Sequence, residues 1–250
     1  SPEYGERWAR HWLDVVRFGE SEGYERDDEK PFAWRYRDYV VDALNDDMPY
    51  DQFVREQLAG DRLPPVTPRS LTATGFYRLG VWDDEPDDKR QAAYDELDDI
   101  ISTAGQTFLG LTVNCARCHD HKFDPISQKD YYRLLAFFRG IRGYEKPRYG
   151  LDPLTLGPLA PPGEFERWRD QTLAEIKGLE EQIGREKDAK ARAALQDRLK
   201  NLKEARPPFP AGLTVAERPG DPPKTQVLIR GNAGTPGEEV QPGFPEVLPG

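Results

Sequence analysis

Sulfur is scarce in this chain. Its 250 residues include two cysteines and one methionine, and only three histidines. Two thiols three positions apart cannot staple a chain of this length, so the core must come from apolar packing. Long hydrophobic runs are missing as well: nothing approaches the roughly 18 consecutive apolar residues of a membrane helix. Positive charge is in deficit, with 35 Lys and Arg against 45 Asp and Glu and a net charge of -10. That balance opposes attraction to phosphate backbones and anionic lipid. Nucleic acid and a membrane span are therefore excluded as expectations, and a basic protein, a neutral polymer or a small redox molecule suits the surface better. With 37% hydrophobic and 32% charged residues, the chain is lean for one compact body, and part of it is expected to be solvated helix or loop. It begins at Ser1 with no methionine and no signal sequence, and is read as a segment of a longer precursor.

Helical periodicity organises the first half. Trp8, Trp12, Val15 and Val16 predict a helix over residues 3 to 18, and Tyr36, Tyr39, Val40, Ala43 and Leu44 another over 33 to 46. A shorter helix is expected from Pro49 and Tyr50 to Gly60, with Asp51 as its N-cap. Residues 61 to 90, with their prolines, glycines and the run DDEPDDK, read as loop. Tyr94, Leu97, Ile100, Ile101, Ala104 and Phe108 share one face over residues 90 to 109. After residue 120, Ser127 or Asp130 can cap a further helix carrying Tyr131, Tyr132, Leu134 and Leu135.

A Pro- and Gly-rich stretch over residues 144 to 163 marks a boundary. Beyond it, a charged segment has Trp168, Ile176, Leu179 and Ile183 on one stripe and Leu195, Leu199 and Leu202 on another. With a turn near Gly184, this predicts an antiparallel helical hairpin, read as a solvated pair that spaces or packs neighbours. From Arg206 onward the composition changes again, and one apolar run, TQVLIRG, reads as a short strand. The organisation expected is a domain over 1–145, a linker and hairpin over 146–206, and a Pro/Gly-rich tail over 207–250.

Both cysteines and two of the histidines fall in NCARCHDHKFDP, residues 114 to 125. Cys115, Cys118 and His119 form C-x-x-C-H, the spacing that lets two thiols add to the vinyl groups of a haem while the adjacent imidazole ligates its iron. Other chemistries remain open on spacing alone. A structural zinc site wants four ligands, and there is no second cysteine pair. A redox dithiol wants a βαβ context, whereas the flanks here read as helical. A Cys115–Cys118 disulfide would close a small strained loop.

The motifs ERWARHWLDVVRFGESEGYE, WRYRDYVVDALNDDMPYDQFVREQLAGD, ATGFYRLG, YDELDDIISTAGQTFLGLTVNCARCHDHKFDPISQKDYYRLLAFF and VLIRG followed by PGEEVQPG together resemble the planctomycete cytochrome-type domain. That is a family of unknown function in large secreted proteins, and the resemblance runs from about Tyr4 to Pro249. It implies a c-type haem domain with one covalent haem and a downstream domain beyond residue 250, so that the fold expected is mainly α, a helical haem c domain with an inserted hairpin and an irregular tail bearing a short strand. Covalent attachment is completed outside the cytoplasm, so a periplasmic or exported location is expected.

With His119 as one axial ligand and a metal ligand by expectation, the opposite face has few candidates. His11, in ERWARHWLD, is the remote histidine and the expected second ligand of the metal; Met48 and an open position are the alternatives. His121 is too close to His119 to cross the haem and is expected to touch the cofactor from the same side, bonding a propionate or the nearby backbone. Arg17, Arg35 and Arg37 are candidates for propionate pairing. Asp98, Asp99, Asp120 and Asp124 read as caps and helix surface ahead of calcium ligands or acid–base groups. Trp8, Trp12 and Trp34 read as core. The function expected is electron transfer with a partner protein or the downstream domain; the alternative is a haem-dependent oxidoreductase with an open iron site acting on an extracellular substrate such as a polysaccharide.

Overall fold

Gly5 lets the first two helices touch. Its amide donates to Asn45 Oδ1 at 2.8 Å, and a β-carbon there would lie 2.4 Å from the Val41 carbonyl oxygen. The computed structural model, which describes residues 1, 3–153 and 155–247, thus packs α1 (Glu3–Val15) on α2 (Ala33–Asn45). Ala9, Val16, Tyr36, Tyr39 and Val40 are buried between them and α3 (Tyr50–Ala59). Asp51 does not cap α3: Pro49 holds the cap position with no side-chain bond, and Asp51 pairs instead with Arg55 one turn on, at 3.2 Å. Trp8 and Trp34 are not core residues. They are 51% and 42% exposed, because the close α1–α2 contact falls on the small residues of the neighbouring stripe, and only Trp12 turns inward, onto Phe53.

The segment expected to be loop, residues 61 to 90, contains the centre of this cluster. Thr67 and Ser70 form a reciprocal capping box, with Pro68 at the first helical position, and launch α4 (Pro68–Ala73). A 3₁₀ turn, Thr74–Arg78, follows. Phe76 and Thr74 have no exposed surface there, and Arg78 is buried, donating to the Thr214 and Arg142 carbonyls at 2.9 and 2.8 Å.

The second cluster lies on α5 (Lys89–Ala104) and α6 (Gln128–Phe138). Asp88 caps α5 by accepting from the Arg90 and Gln91 amides, and Ser127 caps α6 in a box with Asp130. Leu97 and Ile101 meet Tyr131, Tyr132 and Leu135 across the interface. The C-terminal residues complete this core: Leu228, Ala233 and Val240 are buried in it. Leu228 and Val240 belong to an antiparallel pair, β3 (Thr225–Leu228) with β4 (Pro236–Val240), whose register shifts at a bulge between Gln226 and Leu228, and Ala233 lies in the connection between the strands. The expected strand is shorter than TQVLIRG because Ile229–Gly231 turns away, with Arg230 left-handed.

A smaller pair, β1 (Leu156–Pro158) with β2 (Ala211–Leu213), sits on Ala33. Between these strands, α7 (Glu164–Arg185) and α8 (Ala189–Lys203) pack on each other across a three-residue connection, tied by Arg198 to Glu175 and by Lys203 to Glu180. No residue of α8 is buried, as a solvated helix requires. Mainly α is thus the class, with eight α-helices and two small antiparallel sheets among the described residues. Residues 248–250, the end of the expected irregular tail, lie outside the described residues. None of the described helices is long and apolar enough to cross a membrane.

Candidate functional site

The cysteines sit where α5 gives way to α6. A π turn, Gly105–Leu109, loosens the end of α5, and Gly110 reverses the chain with φ 67°. A 3₁₀ turn, Val113–Arg117, then carries the motif. Val113 and Ala116 point into the second cluster with no exposed surface, while Cys115, Cys118 and His119 face solvent. One turn of chain thus has an anchored side and a free side.

Arg117, between the cysteines, supplies the anchor. Its guanidinium pairs with Asp98 at 3.2 Å and with Asp95. Its carbonyl accepts from Gln128 Nε2 at 2.9 Å and from the Tyr132 hydroxyl at 3.1 Å. Burial, followed by the nearby Asp98 charge, pushes the Tyr131 hydroxyl well above the usual tyrosine range, so Tyr131 stays a donor to Asp98, at 2.5 Å. Gly231 closes the other flank: a β-carbon there would lie 2.8 Å from Cys118 Sγ, and its φ is +71°. Periodicity could not have identified Arg117, Gln128, Tyr132 or Gly231, because their partners are 11 to 140 residues away in sequence.

Both thiols are free and exposed, so no disulfide closes the motif. Among the described residues no three His, Cys, Asp or Glu side chains converge as a metal cluster, an arrangement that a four-ligand zinc site would need. His119 Nδ1 lies 2.7 Å from the Asp120 carbonyl oxygen. An oxygen there requires a proton on Nδ1, which assigns the free lone pair to Nε2 on the exposed side. His121 is used up locally. Its Nδ1 accepts from the Phe123 and Asp124 amides at 3.2 and 2.8 Å, and its Nε2 lies 3.3 Å from Thr112 Oγ1. Nδ1 is 3.4 Å from Asp124 Oδ2, but a nitrogen accepting two amides has no proton to offer that carboxylate. Next to the motif, Phe123 is 83% and Leu109 48% exposed.

His11 is on α1, exposed, with its ring 5.4 Å from that of Trp8. No hydrogen bond, ion pair or ring contact joins it to the motif among the described residues. Its chain neighbour Trp12 does approach the segment leading into the motif, with its ring 6.0 Å from Phe108. Met48 sits in the first cluster, where its sulfur accepts from the Tyr39 hydroxyl at 3.9 Å. The other candidates have local partners: Arg17 with Asp99, Arg37 with Asp38 and Glu20, Arg35 over the Trp34 ring, and Asp120 with the Gln128 amide.

The model of one family matches residues 1–143, more than half of the chain, and is described as PSCyt2, protein of unknown function (DUF1549). That match ends before VLIRG and PGEEVQPG, and it carries neither a cofactor nor a source organism. No curated protein and no solved structure matches the chain. The chain therefore belongs to the PSCyt2 (DUF1549) family, a domain of unknown function.

Proposed function

We propose that this chain is a c-type cytochrome domain that carries one covalent haem and passes electrons to or from a partner. The observation behind the reading is the division of labour in the motif: both thiols are free and outward, and His119 spends Nδ1 on Asp120 and leaves Nε2 for a ligand. The donor set fits the group. Cys115 and Cys118 would hold it through thioethers, each sulfur adding to one vinyl carbon and each thiol proton to the other. His119 Nε2 would ligate the metal on one side. Bound haem supplies one-electron redox chemistry.

The remaining steps belong to the chain. Arg117 and its α5 partners fix the turn that spaces the thiols. Asp120, through its carbonyl, orients the His119 ring. His121 holds the backbone after the motif in shape. Phe123 and Leu109 offer apolar surface that a porphyrin would cover. His11, exposed on α1, would be the second protein ligand of the metal, in a helix whose Trp12 ring meets Phe108 of the lead-in segment. The partner would be a downstream domain of the same precursor or a separate redox protein, and attachment would take place in the periplasm or after export.

The second reading, an oxidoreductase with an open axial position, draws support from the same residues. Met48 is engaged in the core and both His121 nitrogens are occupied, so His11 alone decides between the two. Expression with a haem-attachment system and mass measurement tests the shared part: one haem mass, lost in Cys115→Ala/Cys118→Ala, is expected, and an unmodified mass overturns both readings. Absorption spectra then separate them. A low-spin spectrum that ignores carbon monoxide and turns high-spin in His11→Ala supports electron transfer; a wild type that binds carbon monoxide supports the open site.

A further inference from the structure

The second thiol of the motif rests against main chain from the far end of the sequence. A β-carbon on residue 231 would stand 2.8 Å from Cys118 Sγ and 3.4 Å from Arg117 Cγ. Glycine alone leaves that space, and Gly231 holds the left-handed φ of +71° that glycine adopts freely. The sulfur thus sits in a cradle on one side and meets solvent on the other.

The cradle is fixed from several directions. Arg230, just ahead of it, is also left-handed, at φ 55° and ψ 30°, which costs a residue with a side chain roughly 1–2 kcal/mol. Such a conformation persists only where its surroundings over-determine it. Here the Ile229 amide donates to the Thr235 carbonyl at 3.0 Å and the Asn232 amide to the Ile229 carbonyl at 3.2 Å. From α6, Gln128 Nε2 donates to the Leu228 and Arg117 carbonyls, both at 2.9 Å. One amide group therefore clamps the strand before the turn to the motif itself. From α5, Gln91 Oε1 accepts from the Ala233 amide at 2.9 Å. Turn and strands lie beyond residue 143, where the family match ends, so the site takes one wall from outside the matched region.

We propose that Gly231 is a positioning residue for the second thioether: its cradle sets the direction of Cys118 Sγ relative to Cys115 and His119, so that both sulfurs meet one flat ligand together. The inference rests on the haem reading and deepens it. In the step concerned, the Cys118 S–H bond breaks, the sulfur bonds one vinyl carbon and the proton goes to the other, with no oxidant or reductant consumed. A sulfur held in one orientation loses no rotational freedom on adding, whereas a displaced one must first find the direction again.

Co-expression of the full chain with a haem-attachment system, followed by mass measurement, thiol alkylation and a pyridine haemochrome spectrum, tests it. In the wild type, one haem with both vinyl groups saturated and no free thiol is expected. Gly231→Asn keeps the left-handed turn, which asparagine tolerates, and adds the β-carbon. It should carry haem through Cys115 alone, with one thiol open to alkylation and the α band moved to longer wavelength by the vinyl group that remains. Gln91→Ala loosens the turn without adding an atom to it; it should leave part of the protein with one thioether, and serves where Gly231→Asn does not fold. Two thioethers at wild-type yield in the folded variant overturn the proposal and leave the haem reading standing. Loss of the Cys115 bond as well, in a folded variant, also overturns it, because the cradle touches Cys118 and not Cys115. A wild type with no covalent haem overturns the haem reading and this inference with it.

Discussion

Arg117 Nη1 stands 3.2 Å from Asp98 Oδ2, and the other oxygen of that carboxylate accepts from the Tyr131 hydroxyl at 2.5 Å. The residue between the two cysteines is therefore fastened to α5 by its side chain and, through its carbonyl, to α6. A turn held on one side in this way presents its thiols and imidazole in a fixed relation before any ligand arrives. That preorganisation is what a multi-point attachment site needs.

Arg117→Ala should cost about 1–3 kcal/mol, because it leaves the half-buried Asp98 without its cation. The Asp95 arm adds little, since that carboxylate is half exposed. Arg117→Lys should recover only part of the loss, as a point charge cannot serve two carboxylates with a planar fork. Urea denaturation gives the answer, and a change within about 0.5 kcal/mol would assign the pair no structural role.

His121→Ala removes the acceptor for two amides. With the half-buried Asp124 N–H left without its acceptor and the exposed Phe123 N–H returned to water, a loss of about 0.5–1.5 kcal/mol is expected. Hydrogen exchange should locate it, with those two amides exchanging faster and those of α2 unchanged. Unaltered exchange at both positions would show that water replaces the ring at no cost.

How far the chain could be read follows from where its contacts reach. Helices α2, α5 and α6 were legible because their buried faces repeat at helical spacing, and Ser127, the cap of α6, is local. The motif was legible for the same reason, since its three residues fall within five positions. Residues 67 to 78 were misread because prolines and the acidic run around them outweigh a short apolar stretch, although Thr67 and Ser70 at cap spacing were a usable signal. Trp8 and Trp34 were misplaced since periodicity locates a stripe without telling which of two adjoining stripes meets the neighbour. The supports of the motif were illegible: Gly231 and Leu228 reach it from more than a hundred residues away.

Gly231→Ala should be destabilising twice over. A side chain at φ +71° costs roughly 1–2 kcal/mol, and its β-carbon would press on Cys118 Sγ. Displacement of that sulfur should change the rate at which Cys118 reacts with a thiol reagent, while Cys115, one turn away, keeps its rate. Unchanged labelling of both, with wild-type melting, would mean that the 229–231 turn moves aside freely.

Lys30 gives the pH dependence of stability. Its side chain is buried against the Leu79 and Gly80 carbonyls. Burial, aided by the Arg17 charge and opposed by Asp99, Glu22 and Glu96, lowers it from 10.5 to about 8. Between those values the unfolded chain binds the proton more tightly than the folded one, so stability rises with pH. Below about pH 8 both states are charged and the cost of burying the ammonium is carried in full. From pH 8 to 9.5 the gain from this group alone is about 1.5 kcal/mol. Tyr36, Tyr39, Tyr77, Tyr131, Tyr132, Tyr144 and Tyr149, all raised by burial, act in the opposite sense as unfolded tyrosine begins to ionise toward pH 10, and together they offset about 1 kcal/mol of that gain by pH 9.5. Glu22 and Glu96, also raised by burial, favour the folded state as the pH falls toward the acid range. Urea midpoints should therefore hold or climb slightly from pH 8 to 9.5 in the wild type and fall in Lys30→Met, so that the difference between the two proteins grows by about 1.5 kcal/mol. Parallel pH profiles in the wild type and Lys30→Met would mean that the ammonium keeps its ordinary affinity for the proton, and that its two carbonyl bonds offset the whole cost of burial.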